Sequence, residues 1–138
     1  MAKGLAQKMF PSDFYIDSAG IDSEAAGGAN YRAISAMGEY GVDLMGHLAK
    51  NINDVTITEF DHVIAMDSDI FDSVIKAYPD MADRIIRWEI EDPFCGTIKT
   101  YRSCAKEIFL NLKAFSVRIG LTRAEVRRPQ TAGSEIEQ

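Results

Sequence analysis

Six residues, HVIAMD at 62–67, set the strongest limit on the fold. Val63, Ile64, Ala65 and Met66 form an unbroken apolar run between a histidine and an acid. A strand with one face in water alternates apolar and polar side chains, whereas a continuous run belongs to a strand covered on both faces. Such strands sit in parallel sheets, and parallel neighbours need helical crossovers. The flanking sequence supplies them. DSDIFDSVIKAY (67–78) reads as a helix capped by Asp67 or Ser68, and RIIRWEI (84–90) as the next strand. Upstream, AKGLAQKMF (2–10) places Ala2, Leu5, Ala6 and Met9 on one helical face, stopped by Pro11 and Ser12. FYIDSAG (14–20) reads as a short strand entering a turn, IDSEAAGGAN (21–30) as a loop, and YRAISAMGEYG (31–41) as a helix ended by Gly41. VDLMGHLAKNIND (42–54) has strand or turn character. Beyond Ile98, the residues Tyr101, Cys104, Ala105, Ile108, Leu112, Phe115 and Ile119 hold helical spacing over several turns. This alternation predicts an α/β fold, an open parallel sheet with helices on both faces.

The periodicity fills residues 1–120, expected as a single domain, and is lost over 121–138, expected as a mobile tail. A net charge of −6 argues against nucleic acid, whose binding needs clustered Lys and Arg. No apolar run approaches the length of a membrane span, and no signal peptide is visible. Two cysteines, Cys95 and Cys104, make neither a disulfide framework nor a zinc site. The expectation is a cytoplasmic protein with reduced thiols, no membrane association, and no metal or cofactor.

In open α/β sheets, ligands bind beyond the carboxyl ends of the strands. Three such ends carry acids or hydroxyls: DSAG, AMDS and EIEDPFCG. The last continues into EDPFCGTIKTYR (91–102), which holds a cysteine and an arginine in one run. A thiolate phosphatase loop takes Cys, five residues, then Arg, and lowers the thiol pKa at a helix N-terminus. Six residues separate Cys95 from Arg102, and Lys99 onward already belongs to the last helix. Arg102 should therefore lie along the helix surface, away from Cys95. Cys104 has no arginine at the required distance, and its place on the apolar stripe marks a core thiol. Asp92-Pro93 offers different chemistry. Proline restricts Asp92 to extended geometry and keeps its carboxyl out of a helix, with Phe94 as an adjacent aromatic wall. That suits a general acid protonating an aryl leaving group, although on the residues alone an Asp-Pro turn that caps the last helix is the more common arrangement.

Taken in order, DSAG, GEYGVDL, GHLAK, FDHVIAMD and EDPFCGTIKTYRSCAKEIFLNL resemble the low-molecular-weight protein tyrosine phosphatase family, whose fold arsenate reductases and bacterial arginine phosphatases share. The resemblance covers about residues 1–115. It implies a four-stranded parallel sheet and hydrolysis of phosphomonoesters through a phosphocysteine. It assigns the general acid to Asp92, an aromatic cleft wall to Phe94, and the hydrogen-bonded support of the phosphate loop to Ser18 and His47. A lone histidine after a glycine, or a serine in a turn, also fits a purely structural part. Lys3 stands where the family carries an acid.

On this resemblance, the family's first strand and its Cys-x5-Arg loop are missing ahead of Met1. Asp92 then has no thiolate to serve, and general acid catalysis, at roughly 10²–10⁴-fold, does not replace a covalent nucleophile and an oxyanion cradle. The expectation is a family domain that does not turn over. The alternatives are a regulatory module that binds an anion, a phosphorylated protein or peptide, or another partner, and an arsenate-reductase-like redox protein using Cys95 and Cys104. Losing a central strand also leaves buried backbone groups unpaired, at roughly 1–3 kcal/mol each. Either FYIDSAG and HVIAMD pair directly, or the open edge joins another copy in a homo-oligomer.

Overall fold

The computed structural model describes residues 1–21, 30–93, 96–127 and 129. In chain order the elements are α1 (Ala2–Met9), α2 (Tyr31–Gly38), β1 (Val63–Ala65), α3 (Ser68–Ala77), β2 (Ile85–Arg87) and α4 (Ile98–Arg118), with 3-10 turns at Ile52–Asp54, Ile57–Glu59 and Pro79–Arg84. The N-caps follow local chemistry. Asn30, Asp67 and Thr97 each accept a main-chain N–H of the first turn of α2, α3 and α4 respectively. Past α2, Gly41 takes φ +74°, a conformation that a side chain disfavours.

β1 and β2 pair in parallel, Val63 with Ile85, Ile64 with Ile86 and Ala65 with Arg87. The ladder runs on through Trp88 N–H to the Ala65 carbonyl (2.8 Å) and Ile90 N–H to the Met66 carbonyl (2.9 Å). Side chains alternate across this small sheet. Ile64 and Ile86 pack against a large cluster built from α1, α2 and α4, including Leu5, Met37, Ala105 and Leu112. Val63 and Ile85 join a smaller cluster with Val74 of α3, Ile57 and Met81. Helices thus cover both faces, as the alternating pattern predicts. The α4 stripe is buried from Tyr101 to Phe115.

Two expectations need correcting. FYIDSAG is not a strand: residues 14–19 line the same cavity as β1, but among the described residues no backbone hydrogen bond joins the two. Its end forms one isolated bridge, Gly20 to Asn51. The described sheet accordingly has two strands and not four. The consecutive Phe14, Tyr15 and Ile16 supply the propensity for a strand, but a strand is assigned by its paired neighbour, and among the described residues none pairs with 14–19. Val63 and Ile64 are half-buried for the same reason, and of the three residues of β1 only Ala65 is closed off.

After α4, residues 122–126 form turns in which Glu125 accepts from the Thr122 N–H and hydroxyl. Arg127 then docks on the end of α1. Its N–H donates to the Met9 carbonyl (2.8 Å) and its guanidinium to the carbonyls of Phe10 (2.6 Å) and Gln7 (3.3 Å). These groups answer carbonyls that the helix end leaves without partners. No helix among the described residues is long and apolar enough to cross a membrane.

Candidate anion site at the start of α1

Parallel chain direction brings several carboxyl ends to one edge. β1 ends at Ala65, and Asp67 leaves it to cap α3 through the Ile70 N–H (2.8 Å). The β2 ladder ends at Ile90, from which Glu91 and Asp92 emerge exposed. Residues 14–18 deliver Asp17, whose side chain is 7 % exposed. α1 begins against it: Lys3 donates to Asp17 Oδ1 (3.1 Å), Lys50 to Oδ2 (2.9 Å), and the Ser18 N–H to Oδ1 (2.9 Å). Burial alone would push the Asp17 carboxyl up. The hydrogen bonds from Lys50, Ser18 and Lys3 override it and bring the pKa from 3.8 to about 2.

His47 is half-buried in the turn after Leu44, whose carbonyl accepts its N–H (3.0 Å). Burial lowers its imidazole pKa, aided by the Met1 amine and Lys3 and opposed by Asp17. Lys3, Asp17 and His47 therefore share one electrostatic neighbourhood. Cys104 touches its inner side: the thiol is pushed up to about 11 by burial first and by Glu107, and it also senses the Met1 amine and Asp92. Two lysines against one buried carboxylate leave local positive charge. The first turn of α1 has no side-chain cap and no acid, so its N–H groups and dipole also favour an anion.

The residues named from sequence fare unequally. Asp92 stands at the predicted strand end, held by the Asp-Pro unit and by a tight turn in which Gly96 N–H donates to the Pro93 carbonyl (2.8 Å). A Cβ at Gly96 would lie 2.8 Å from that carbonyl oxygen and from Thr100, so this turn requires glycine. Ser18 is exposed and engages through its main chain; among the described residues no hydrogen bond joins its hydroxyl to His47. Phe94 and Cys95 lie outside the described residues. Arg102 lies along the helix surface, as its helical register predicts, with Nε 2.8 and 3.1 Å and Nη2 2.8 Å from the Glu39 carboxylate at the C-terminal end of α2. Cys104 is a core thiol. The Lys3–Asp17–Lys50 cluster was not foreseen, because residues 14 and 33 positions apart carry no local signal. Among the described residues no group of three His, Cys, Asp or Glu side chains is placed to hold a metal.

The family model described as low molecular weight phosphotyrosine protein phosphatase matches residues 1–128. Arsenate reductase 1 of Staphylococcus saprophyticus is 29 % identical over 118 residues, covering 86 % of each chain, and arsenate reductase of Staphylococcus xylosus is 28 % identical over the same length. Among solved structures, a low molecular weight protein tyrosine phosphatase from T. tengcongensis superposes with a TM-score of 0.75 at 24 % identity, covering 85 % of this chain and 88 % of the other. The YwlE arginine phosphatase from Geobacillus stearothermophilus gives 0.74 at 22 %, covering 86 % and 82 %. At these identities the structures speak for the fold.

Proposed function

This chain belongs to the low molecular weight phosphotyrosine protein phosphatase family, and we propose that it acts as a phosphate-recognising member of it that does not turn substrate over. The observation that carries the reading is the start of α1, where an uncapped first turn and Lys3 lie beside His47 and the buried Asp17. This edge suits a phosphate or the phosphoryl group of a protein or peptide. Asp92, at the same end of the sheet, would act as the acid on a leaving oxygen were a nucleophile supplied, and Ser18 and Phe94 belong to the cleft by family resemblance.

The case against turnover rests on the thiols and the arginine. Cys104, at about 11, is protonated at neutral pH, and the thiol is a poor nucleophile. Arg102 is committed to Glu39. The sequence places no arginine six positions after either cysteine. The names of the curated relatives favour a second reading, an arsenate-reductase-like redox protein. The buried, high-pKa Cys104 speaks against it as one partner of an exchanging pair. A net charge of −6 supports a partner other than nucleic acid, and two cysteines, too few for a disulfide framework, support a cytoplasmic setting.

The test is p-nitrophenyl phosphate hydrolysis by this chain, Asp92→Asn and Cys95→Ser, with phosphate binding followed by calorimetry. Binding without turnover, weakened by Lys3→Gln, supports the proposal. Turnover that Cys95→Ser abolishes refutes it, as does absence of phosphate binding. A 2 Da mass loss on mild oxidation would instead favour the redox reading.

A further inference from the structure

A cavity of about 430 Å³ opens between α2 and α4, lined by Tyr31, Arg32 and Ser35 of the first helix and Thr97 and Ile98 of the second. Ser35 lies four and three positions after Tyr31 and Arg32, so the three share one face of α2. The two helices run in the same direction. Their starts meet at this cavity, the Glu39–Arg102 pair joins them further on, and the Tyr40 and Phe109 rings lie 6.1 Å apart beyond it. α4 begins soon after Asp92, across the tight turn from Pro93 to Gly96. The cavity therefore lies beside the end of the sheet from which Asp92 emerges.

Arg32 gives this cavity its selectivity. Its guanidinium carbon lies 4.7 Å from the centre of the Tyr31 ring. A ring in that position steadies the plane of the guanidinium and leaves its edges to hydrogen-bond. Among the described residues those edges meet no carboxylate; the Arg32 main-chain N–H alone is engaged, by Asn30. Helix stability does not explain the residue, since a cation in a first turn opposes the helix dipole and α2 holds no acid there to offset it. Arg102, between the same two helices, is held by Glu39 and answers no such question. The half-buried Ile98 and the Tyr31 ring supply apolar wall, and the exposed Ser35 supplies a hydroxyl.

We propose that this cavity takes the side chain of a Glu or Asp in a phosphorylated partner polypeptide, within about three residues of the phosphorylated one, or about 10 Å of extended chain. A steadied guanidinium presents paired N–H donors that match the two oxygens of a carboxylate. The apolar wall accommodates the methylenes that carry it. The net charge of −6 repels an acidic polypeptide at long range, so a preference for acid has to arise from a local contact. The inference rests on the reading of this chain as one that recognises a phosphoryl group, and narrows its partners to those with acid beside the phosphate.

The test uses the whole chain and two fluorescein-labelled peptides, with phosphotyrosine set between pairs of Glu in one and pairs of Gln in the other. Both end in an amide, so the side chains alone supply carboxylate. By fluorescence anisotropy the Glu peptide should bind about fivefold tighter, as fits a charge-assisted pair that stays partly in water. Arg32→Gln should erase that ratio, and Arg32→Lys, which keeps the charge without the planar fork, should retain part of it. The ratio is the readout because partial unfolding weakens both peptides alike and leaves it unchanged. Equal binding of the two peptides overturns this proposal and leaves phosphate recognition standing. A ratio that persists in Arg32→Gln also overturns it, assigning the preference to other cations. Failure of both peptides, and of inorganic phosphate by calorimetry, removes the phosphoryl reading and this inference with it.

Discussion

Replacing Asp17 with Asn tests the electrostatics of the α1 edge most directly. The substitution preserves size and removes the charge that Lys3 and Lys50 share. In the folded protein the carboxyl is held at about 2, against 3.8 ordinarily. That difference corresponds to about 2.4 kcal/mol as a ceiling. Asp17 lines the water-accessible cavity beside β1 and Lys50 is 46 % exposed, so screening applies, and we expect a net loss of about 1 kcal/mol. For a chain of this size that lowers Tm by roughly 3–5 °C. The sign follows from the depressed pKa. The contribution is complete above the unfolded value of 3.8 and disappears as pH falls through about 2. Melting of the two proteins, followed by circular dichroism at pH 7, 5 and 3, should show a full gap at the first two and a reduced one at the third. Near-molar salt should also shrink it at pH 7, where the Debye length falls to about 3 Å. A gap that is constant from pH 7 to 3, or a variant more stable than the parent at pH 7, would refute the ion-cluster reasoning.

Three further outcomes are expected. In a Cys95→Ser background, Cys104 should resist iodoacetamide at pH 8 in the folded state and label promptly in denaturant, since its pKa is near 11 and it is buried; fast native labelling would contradict its place in the core. Gly96→Ala should destabilise by about 1–3 kcal/mol in urea titration, because the new Cβ meets a carbonyl oxygen that cannot rotate away. Arg102→Gln should cost about 1 kcal/mol or less, since its Glu39 pair is half exposed, and leave any phosphate affinity unchanged; a large loss of binding would put Arg102 in the site.

How far the sequence reads through depends on the range of the forces involved. Helix periodicity and caps are local, and the stripe from Tyr101 to Phe115 and the Asp67 cap come out as the pattern predicts. The off-by-one spacing of Cys95 and Arg102 also suffices to turn Arg102 toward Glu39, since helical register alone fixes its direction. Strand identity is not local. FYIDSAG and HVIAMD both read as strands, but only the second finds a paired backbone, in β2. The Asp17 cluster and the Arg127 contacts join residues 14 to 120 positions apart. Each depends on one side chain reaching a group that composition and period do not reveal. The six-residue 3-10 turn at Pro79–Arg84 escapes the pattern too, being too short for a helical stripe to show.

The division of the interior into two clusters bears on how the molecule comes apart. Among the described residues, seventeen buried side chains form the cluster of α1, α2 and α4, against four in the cluster around α3. The two are separated by a sheet of three-residue strands that shows one cluster Ile64 and Ile86 and the other Val63 and Ile85. Cooperative unfolding requires each part to lose its support when the other goes, and so thin a seam transmits little of that dependence. On warming, α3 and its neighbours should detach as a unit of low local stability while the larger core stays folded. Amide exchange should be fast in Ser68–Ala77 and slow along Tyr101–Phe115, two rates from a chain of one domain's length.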